Sequence, residues 1–277
     1  MTAQSPASPP PTGSGDRPLT LAGLDHVVIA VTDLDRAAAG WTALGFTLSP
    51  RGTHSAHMGT INHTMMLGPD YVELLAVAQA TDRNRATRAF LERRGEGIDR
   101  LAMRTLDAAG DGERLRARGI EATGPVEFSR PVSRADGSET AASFSVFHWP
   151  DTAQVADMRV FGCQHHTPDA VWLPELQCHP NGAKRILRVE QYVTDPAADA
   201  RTLGALLGLS PRPLDATPTT PAGWRLVTGP GHADLDFLDA GNNAVRARLV
   251  FASDSPAAIE RGPWSGNGIS VVFEPDT

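Results

Sequence analysis

What most restricts the fold of this chain is a strand–helix unit that returns along it. Residues 24–46 read LDHVVIAVTDLDRAAAGWTALGF: an apolar strand, an Asp able to cap a helix, an Ala-rich helix, then Leu-Gly-Phe opening a second strand. Residues 98–120 follow the same plan, with Asp107 preceding Gly119 by the twelve positions that separate Asp33 from Gly45. Residues 186–209 repeat it with one residue added between Asp195 and Gly208, and a shortened echo begins at 245–260. Further strand candidates follow each helix: 62–67 and 71–77, then 139–149 and 158–165, then 224–228 and 234–239. The plan is β-α-β-β-β, repeated, with the last copy abbreviated. It predicts an α+β fold with a first module pair over 19–183 and a second over 184–277.

Strand alternation assigns faces. Val27, Ile29 and Val31 point toward the helix, while His26, Val28 and Ala30 point away. In the second copy Leu101 and Met103 oppose Arg100, Ala102 and Arg104; in the third, Leu187, Val189 and Val193 oppose Arg188, Glu190 and Tyr192. Each first strand thus turns a polar residue away from its helix, toward solvent or a cavity.

With 277 residues, 41% of them apolar and 21% charged, the chain can bury a substantial core. A net charge of −7 without a basic stripe argues against nucleic acid as a partner. No apolar run approaches the ~20 residues needed to cross a bilayer. Residues 1–18 lack the basic and apolar regions of a signal peptide and read as a disordered tail. Cys163 and Cys178 are too few for a disulfide framework, so a reduced cytoplasmic protein is expected. Phosphate loops, serine-nucleophile elbows and zinc-protease helices are missing from the sequence, which disfavours nucleotide-driven chemistry and serine hydrolysis.

The module, its opening LDHVVIAVTDLD, the strand YVELLAV and the stretch FGCQHHTPDAVWLPELQCHPNGA at 161–183 resemble the vicinal oxygen chelate superfamily, and within it the glyoxalase-like domain branch. The resemblance implies paired modules curled around an open cavity, helices outside, with a divalent ion (Fe, Mn, Zn, Ni or Mg) held by first and fourth strands. Members of the superfamily include isomerases, epimerases, ring-cleaving dioxygenases, thiol transferases and metal-free drug-sequestering proteins. Carried onto this chain, the ligand positions are His26 and Glu73. The second module offers Arg100, which cannot ligate, and a fourth strand ending at Gln164 and His165. The implied metal set is therefore His26, Glu73 and His165, with His63, Gln164 or His166 as substitutes.

Two imidazoles and a carboxylate leave coordination positions open for substrate. Glu73 then serves catalysis, and Arg100 or Arg104 can clamp an anionic group on the substrate. The histidines of HSAHMGTINH at 54–63 read as an exposed linker, although their spacing also suits a ligand cluster, with Asn62 facing the cavity. Glu190 and Tyr192 are read as a cross-strand paired or solvated face rather than acid/base groups. Pro168, Pro174 and Pro180 preclude a long helix, and Trp172, Cys178 and Asn181 are given structural roles. The implied function is a metal-dependent lyase, isomerase or dioxygenase acting on a small molecule. A non-catalytic small-molecule binder is the alternative. Either a monomer or a homodimer suits the module count, and no membrane partner is expected.

Overall fold

The computed structural model describes residues 17–133, 137–241 and 244–276. Apart from Arg17 and Pro18, the expected tail at 1–18 lies outside the described residues. Among them, no helix is long and apolar enough to cross a membrane.

The first half contains β1 (Leu21–Val31), α1 (Leu34–Ala43), β2 (Gly52–Thr53), β3 (Thr60–Met66) and β4 (Tyr71–Val77), followed by a linking helix α2 (Arg85–Arg94). The unit then returns as β5 (Gly97–Thr105), α3 (Ala108–Ala117), β6 (Thr123–Ser133), β7 (Glu139–His148) and β8 (Arg159–His165). The second half repeats it as β9 (Ala183–Val193), α4 (Pro196–Leu207), β10 (Arg212–Leu214), β11 (Gly223–Leu226) and β12 (Asp234–Asp239). It closes with β13 (Ala247–Ser253), α5 (Pro256–Glu260), β14 (Trp264–Gly266) and β15 (Ile269–Pro275), one strand short.

Two mixed sheets result, an eight-stranded one in the order β2-β3-β4-β1-β5-β8-β7-β6 and a seven-stranded one in the order β10-β11-β12-β9-β13-β15-β14. In both, two first strands pair antiparallel at the centre (β1 with β5, β9 with β13), and each pairs parallel with its own module's last strand. The α+β reading and the curled, repeated modules hold.

The helices begin where the capping residues predict. Asp33, Asp107 and Asp195 each accept a hydrogen bond from the backbone N–H three residues on, at 3.0, 2.9 and 2.9 Å. Each such cap contributes about 1 kcal/mol. Gly208 ends α4 in the left-handed region at φ 73°, which a side chain resists. Leu-Gly-Phe at 44–46, expected to open a second strand, does not. Phe46 instead plugs the core as part of a loop, and β2 starts only at Gly52.

One continuous core joins both halves. It takes Leu24, Val27, Ile29 and Val31 from β1, Trp41 from α1, Ile186 and Val189 from β9, and Phe251 from β13. Here simple alternation fails at one recurrent place. A bulge at Asp25 in β1, repeated at Asp99 in β5 and at Leu187 in β9, shifts the pleat. Leu187 was expected in the core beside Val189; the bulge puts Ile186 there instead. A second apolar cluster lines the concave face of the first sheet, with Val28, Tyr71, Ala102, Phe144, Phe161 and Cys163 among its members.

The candidate metal centre and its cup

Register fixes what faces the first cup. Glu73 and Arg100 lie directly across Val28, on either side of β1, while Tyr71 and Ala102 flank His26. Phe161 sits across from Ala102, and His148 across from Phe161. Residues directly opposite share a face, so these side chains converge on the concave side.

His26 and Glu73 come together at the centre, His26 Nε2 lying 3.9 Å from Glu73 Oε2. The imidazole is fixed by stacking on Tyr71, ring centroids 4.2 Å apart, and by the edge of Phe161 at 5.3 Å. Its Nδ1 lies 2.7 Å from Asp25 Oδ1. Because the carboxylate can only accept, Nδ1 carries the donated hydrogen and Nε2 is the nitrogen that faces Glu73. Glu73 Oε1 accepts a hydrogen bond from Asn62 Nδ2 at 2.7 Å and stands 4.0 Å from His54 Nε2. Burial alone would raise the Glu73 pKa; His54, His26 and Arg100 outweigh it and hold the group ionised below its usual range.

His54, assigned to an exposed linker by the sequence, is therefore a wall of the cup. Its Nδ1 is engaged by Thr60 Oγ1 at 2.7 Å, leaving Nε2 without a hydrogen bond. Burial lowers its pKa against the opposing pull of the Glu73 carboxylate, with Arg100 and Arg130 adding to the lowering. His26 Nε2 and His54 Nε2 thus each approach one oxygen of the Glu73 carboxylate, at 3.9 Å from Oε2 and 4.0 Å from Oε1. Two imidazoles and a carboxylate are donors of a kind that suits a divalent ion of borderline hardness.

His165 lies on the same face and meets His26 at Asp25, both imidazoles contacting Asp25 Oδ1. The second module's counterpart of Glu73 is Phe161, and His165 is four residues further along β8, roughly 13 Å at strand rise. There its Nε2 lies 3.0 Å from Asp25 Oδ1. Asp25, fully buried, accepts from His26 and His165 on one oxygen and from Arg104 Nε, at 2.9 Å, on the other. Burial would raise its pKa, but the hydrogen bonds from His165 and His26 hold it far below the usual carboxylate range. Asp25, Cys163 and His165 are close enough to hold an ion. Both Asp25 oxygens are engaged by His26, His165 and Arg104, and Cys163 Sγ lies 3.6 Å from His165 Nε2. We assign these residues to a hydrogen-bonded clamp.

Arg104 also donates to Pro69 O at 2.8 Å and lies over the Trp172 ring at 4.7 Å. Arg100 Nε stands 3.2 Å from Asp99 Oδ2, without hydrogen-bond alignment. The reserve ligands are all engaged elsewhere: His63 Nδ1 with Ser49 O at 2.7 Å, His166 Nε2 with Ser145 Oγ at 2.7 Å, and Gln164 with the start of α3 through Ala108 N at 3.0 Å.

The 161–183 stretch is a clasp. It bends through two short turns at Pro168–Ala170 and Pro174–Leu176, and lays Val171 and Leu173 on the concave cluster. His179 accepts from Thr47 N at 3.0 Å and donates to Met66 O at 2.8 Å. Asn181 donates to Leu44 O and accepts from Ala183 N. Both cysteines are free, Cys163 buried and Cys178 exposed.

One face of the second sheet is occupied by its own charges. Arg225 forms a bidentate pair with Asp236, both bonds 2.7 Å, and Arg248 lies 3.3 Å from Glu190. Arg188 reaches Glu190 at 3.3 Å and Glu274 at 3.0 Å, and Tyr192 donates to Glu190 at 3.0 Å. Glu190 and Tyr192 are thus paired across the sheet, as expected.

A family model described as a glyoxalase-like domain matches residues 24–207. No curated protein matches the chain. Among solved structures, a hypothetical protein from Staphylococcus aureus is 14% identical with TM-score 0.68, over 91% of this chain and 98% of that one. A xylose isomerase-like TIM barrel/4-hydroxyphenylpyruvate dioxygenase fusion protein is 16% identical with TM-score 0.55, over 90% of this chain and 39% of its own. Methylmalonyl-CoA epimerase from Mycobacterium tuberculosis overlaps 53% of this chain and 89% of its own at 23% identity, with TM-score 0.40. At these identities the likeness is one of fold.

Proposed function

The chain belongs to the glyoxalase-like domain family, and from that membership we propose that its first cup is a metal-dependent active site that stabilises an oxyanion or enolate on a small oxygenated metabolite. The observation that carries this reading is the 3.9 Å approach of His26 Nε2 to the Glu73 carboxylate, with the other His26 nitrogen anchored on buried Asp25. His26 and Glu73 would hold the ion, with His54 as third donor where the sequence suggested His165. When bound, a divalent ion there polarises a carbonyl or an enolate oxygen.

The chain's own residues supply the rest. Glu73, held ionised, can accept a proton from carbon or oxygen. Asp25 fixes the His26 tautomer, the role a carboxylate plays behind many ligating histidines. Phe161, Tyr71 and Phe144 keep water from the reacting face, and Arg100 orients substrate from across Val28. Isomerase, lyase and dioxygenase chemistry are all compatible with such a site.

The test is elemental analysis of protein purified without a metal-affinity step. About one equivalent of a divalent ion per chain is expected, lost in His26→Ala and Glu73→Ala. A wild-type protein that takes up none of Fe, Mn, Zn, Ni or Mg overturns the reading. One observation favours a second reading, a metal-free small-molecule binder: the second module puts Arg100 and Phe161 where ligands would stand. Ligand binding by wild-type protein without any metal uptake would select it.

A further inference from the structure

A hollow between the two halves shares no lining residue with the cup. It lies between α2 and the start of β5 on one side and β9, β13 and the first turn of α4 on the other. Its volume is about 320 Å³, at the lower end of small-molecule pockets. Phe90, Ile98 and Val193 supply apolar lining, and Gln191, Asp199 and Arg246 supply polar lining.

Gln191 is the residue the fold does not account for. Four positions before each of three helix caps stands a fully buried apolar side chain: Ile29 before Asp33, Met103 before Asp107 and Phe251 before Ser255. In the third module that place, four before Asp195, is held by Gln191. Gln191 is only 5% exposed, and its Nε2 has no hydrogen-bond partner among the described residues. A buried amide donor left open costs free energy that an apolar residue in its place would not. The amide opens onto the one side where the repeat leaves space instead of core.

Five charged residues line the same hollow, and three of them are satisfied within the chain. Asp157 pairs with Arg93 at 3.1 Å and with Arg94 at 2.8 Å. Glu96 takes Arg36 Nη2 and Thr32 N, both at 2.9 Å, on one oxygen and Asn267 Nδ2, at 2.9 Å, on the other. That leaves one charge of each sign. Asp199 is half-buried and has no ion pair or side-chain hydrogen bond among the described residues. Burial, then Asp195 and Asp157, push its pKa up, as for a carboxylate without a cation beside it. Arg246 is exposed; its Nη1 donates to the Arg94 carbonyl at 3.0 Å, and it has no carboxylate partner among the described residues.

We propose that this hollow is a binding site, separate from the cup, for a free α-amino acid. Its carboxylate would be taken by Gln191 Nε2 and Arg246, its ammonium by Asp199, and its side chain laid against Phe90 and Ile98. An open amide donor, an unpaired carboxylate and a guanidinium around one small space complement a zwitterion better than an ion of either sign alone. The site stands independently of the metal reading.

The experiment is titration calorimetry on the full chain with L-leucine, L-phenylalanine and L-glutamine as probes. At least one should bind. The tightest is then compared with its decarboxylated and deaminated analogues (for leucine, isopentylamine and 4-methylpentanoate), each of which should bind at least about tenfold more weakly. Gln191→Met and Asp199→Asn should each weaken the amino acid at least about tenfold. Gln191→Met also restores the residue type of position 103, so its urea midpoint should equal or exceed that of wild type. Glu73→Gln should leave amino-acid affinity unchanged. Absence of binding by all three amino acids, analogues that bind equally well, or an affinity unchanged in either site variant would each overturn the proposal. So would a lowered urea midpoint in Gln191→Met, which would assign the amide to the fold, or lost binding in Glu73→Gln, which would move the ligand to the cup.

Discussion

Asp25 Oδ1 lies 2.7 Å from His26 Nδ1, so a residue and its chain neighbour, which would face opposite ways in a regular strand, meet on one face. The bulge in β1 makes this contact possible. It also makes Asp25 the hub on which His26, His165 and Arg104 are oriented.

Replacing that hub should be costly. Asp25→Asn leaves Arg104 without its carboxylate in a buried place, and a loss of about 3–5 kcal/mol in unfolding free energy is expected. Since the folded-state pKa of Asp25 is depressed, its stabilisation is present above the unfolded value of about 4 and is lost as pH falls below it. Denaturant titrations of wild type and Asp25→Asn should therefore converge toward acid pH; a gap that stays constant from pH 7 to pH 3 would contradict the hub role.

The third donor can be identified by comparing two histidines. His54→Ala should weaken metal affinity on the order of 10–100-fold, while His165→Ala should keep metal stoichiometry and lose stability instead. Competition with a chromophoric chelator measures both. The reverse pattern would return His165 to the ligand set.

Asp70 gives a second pH effect with the opposite sign. It is fully buried, accepts from Ile186 N on one oxygen and has no hydrogen-bond partner on the other among the described residues, and burial pushes its pKa up to about 8. The folded form keeps the proton while the unfolded chain releases it near pH 4. Stability from this group is thus complete below that value and falls by up to about 1.4 kcal/mol per pH unit until about pH 8. In Asp70→Asn this slope should vanish, so the variant gains on wild type between pH 5 and pH 8.5 as followed by urea midpoints.

In the second sheet, Glu190 is shared by Arg188, Arg248 and Tyr192. Glu190→Gln should destabilise by about 3 kcal/mol, because two partly buried arginines lose their common carboxylate. Metal content of the first cup should not change. A drop in it would show that the two sheets share a function as well as a core.

The repeat was legible because helix caps and strand periodicity are local properties, and Asp33, Asp107 and Asp195 announce them directly. His26, Glu73 and Arg100 could be placed on one face from alternation alone. Asp25 could not, since strict alternation turns it toward the helix, where an unpaired carboxylate would be prohibitive. That conflict was itself the signal of a bulge. His54 was missed because nothing local brings residue 54 beside residue 73; the β2–β3 and β3–β4 pairings together do so. For His165 the match between module strands depends on register: Phe161 holds the place that corresponds to Glu73, while His165 reaches the Asp25 oxygen that also contacts His26.

The aromatic seam between the halves has a consequence of its own. Trp41 and Phe46, from the first module, meet Phe251, Trp264 and Phe273 of the last one at ring separations of 5.0–6.4 Å. The first and last modules are thereby sealed into a common interior. Neither half can shed water from that seam by itself, so the cup of the first sheet gains its full rigidity only once β13–β15 have packed against it.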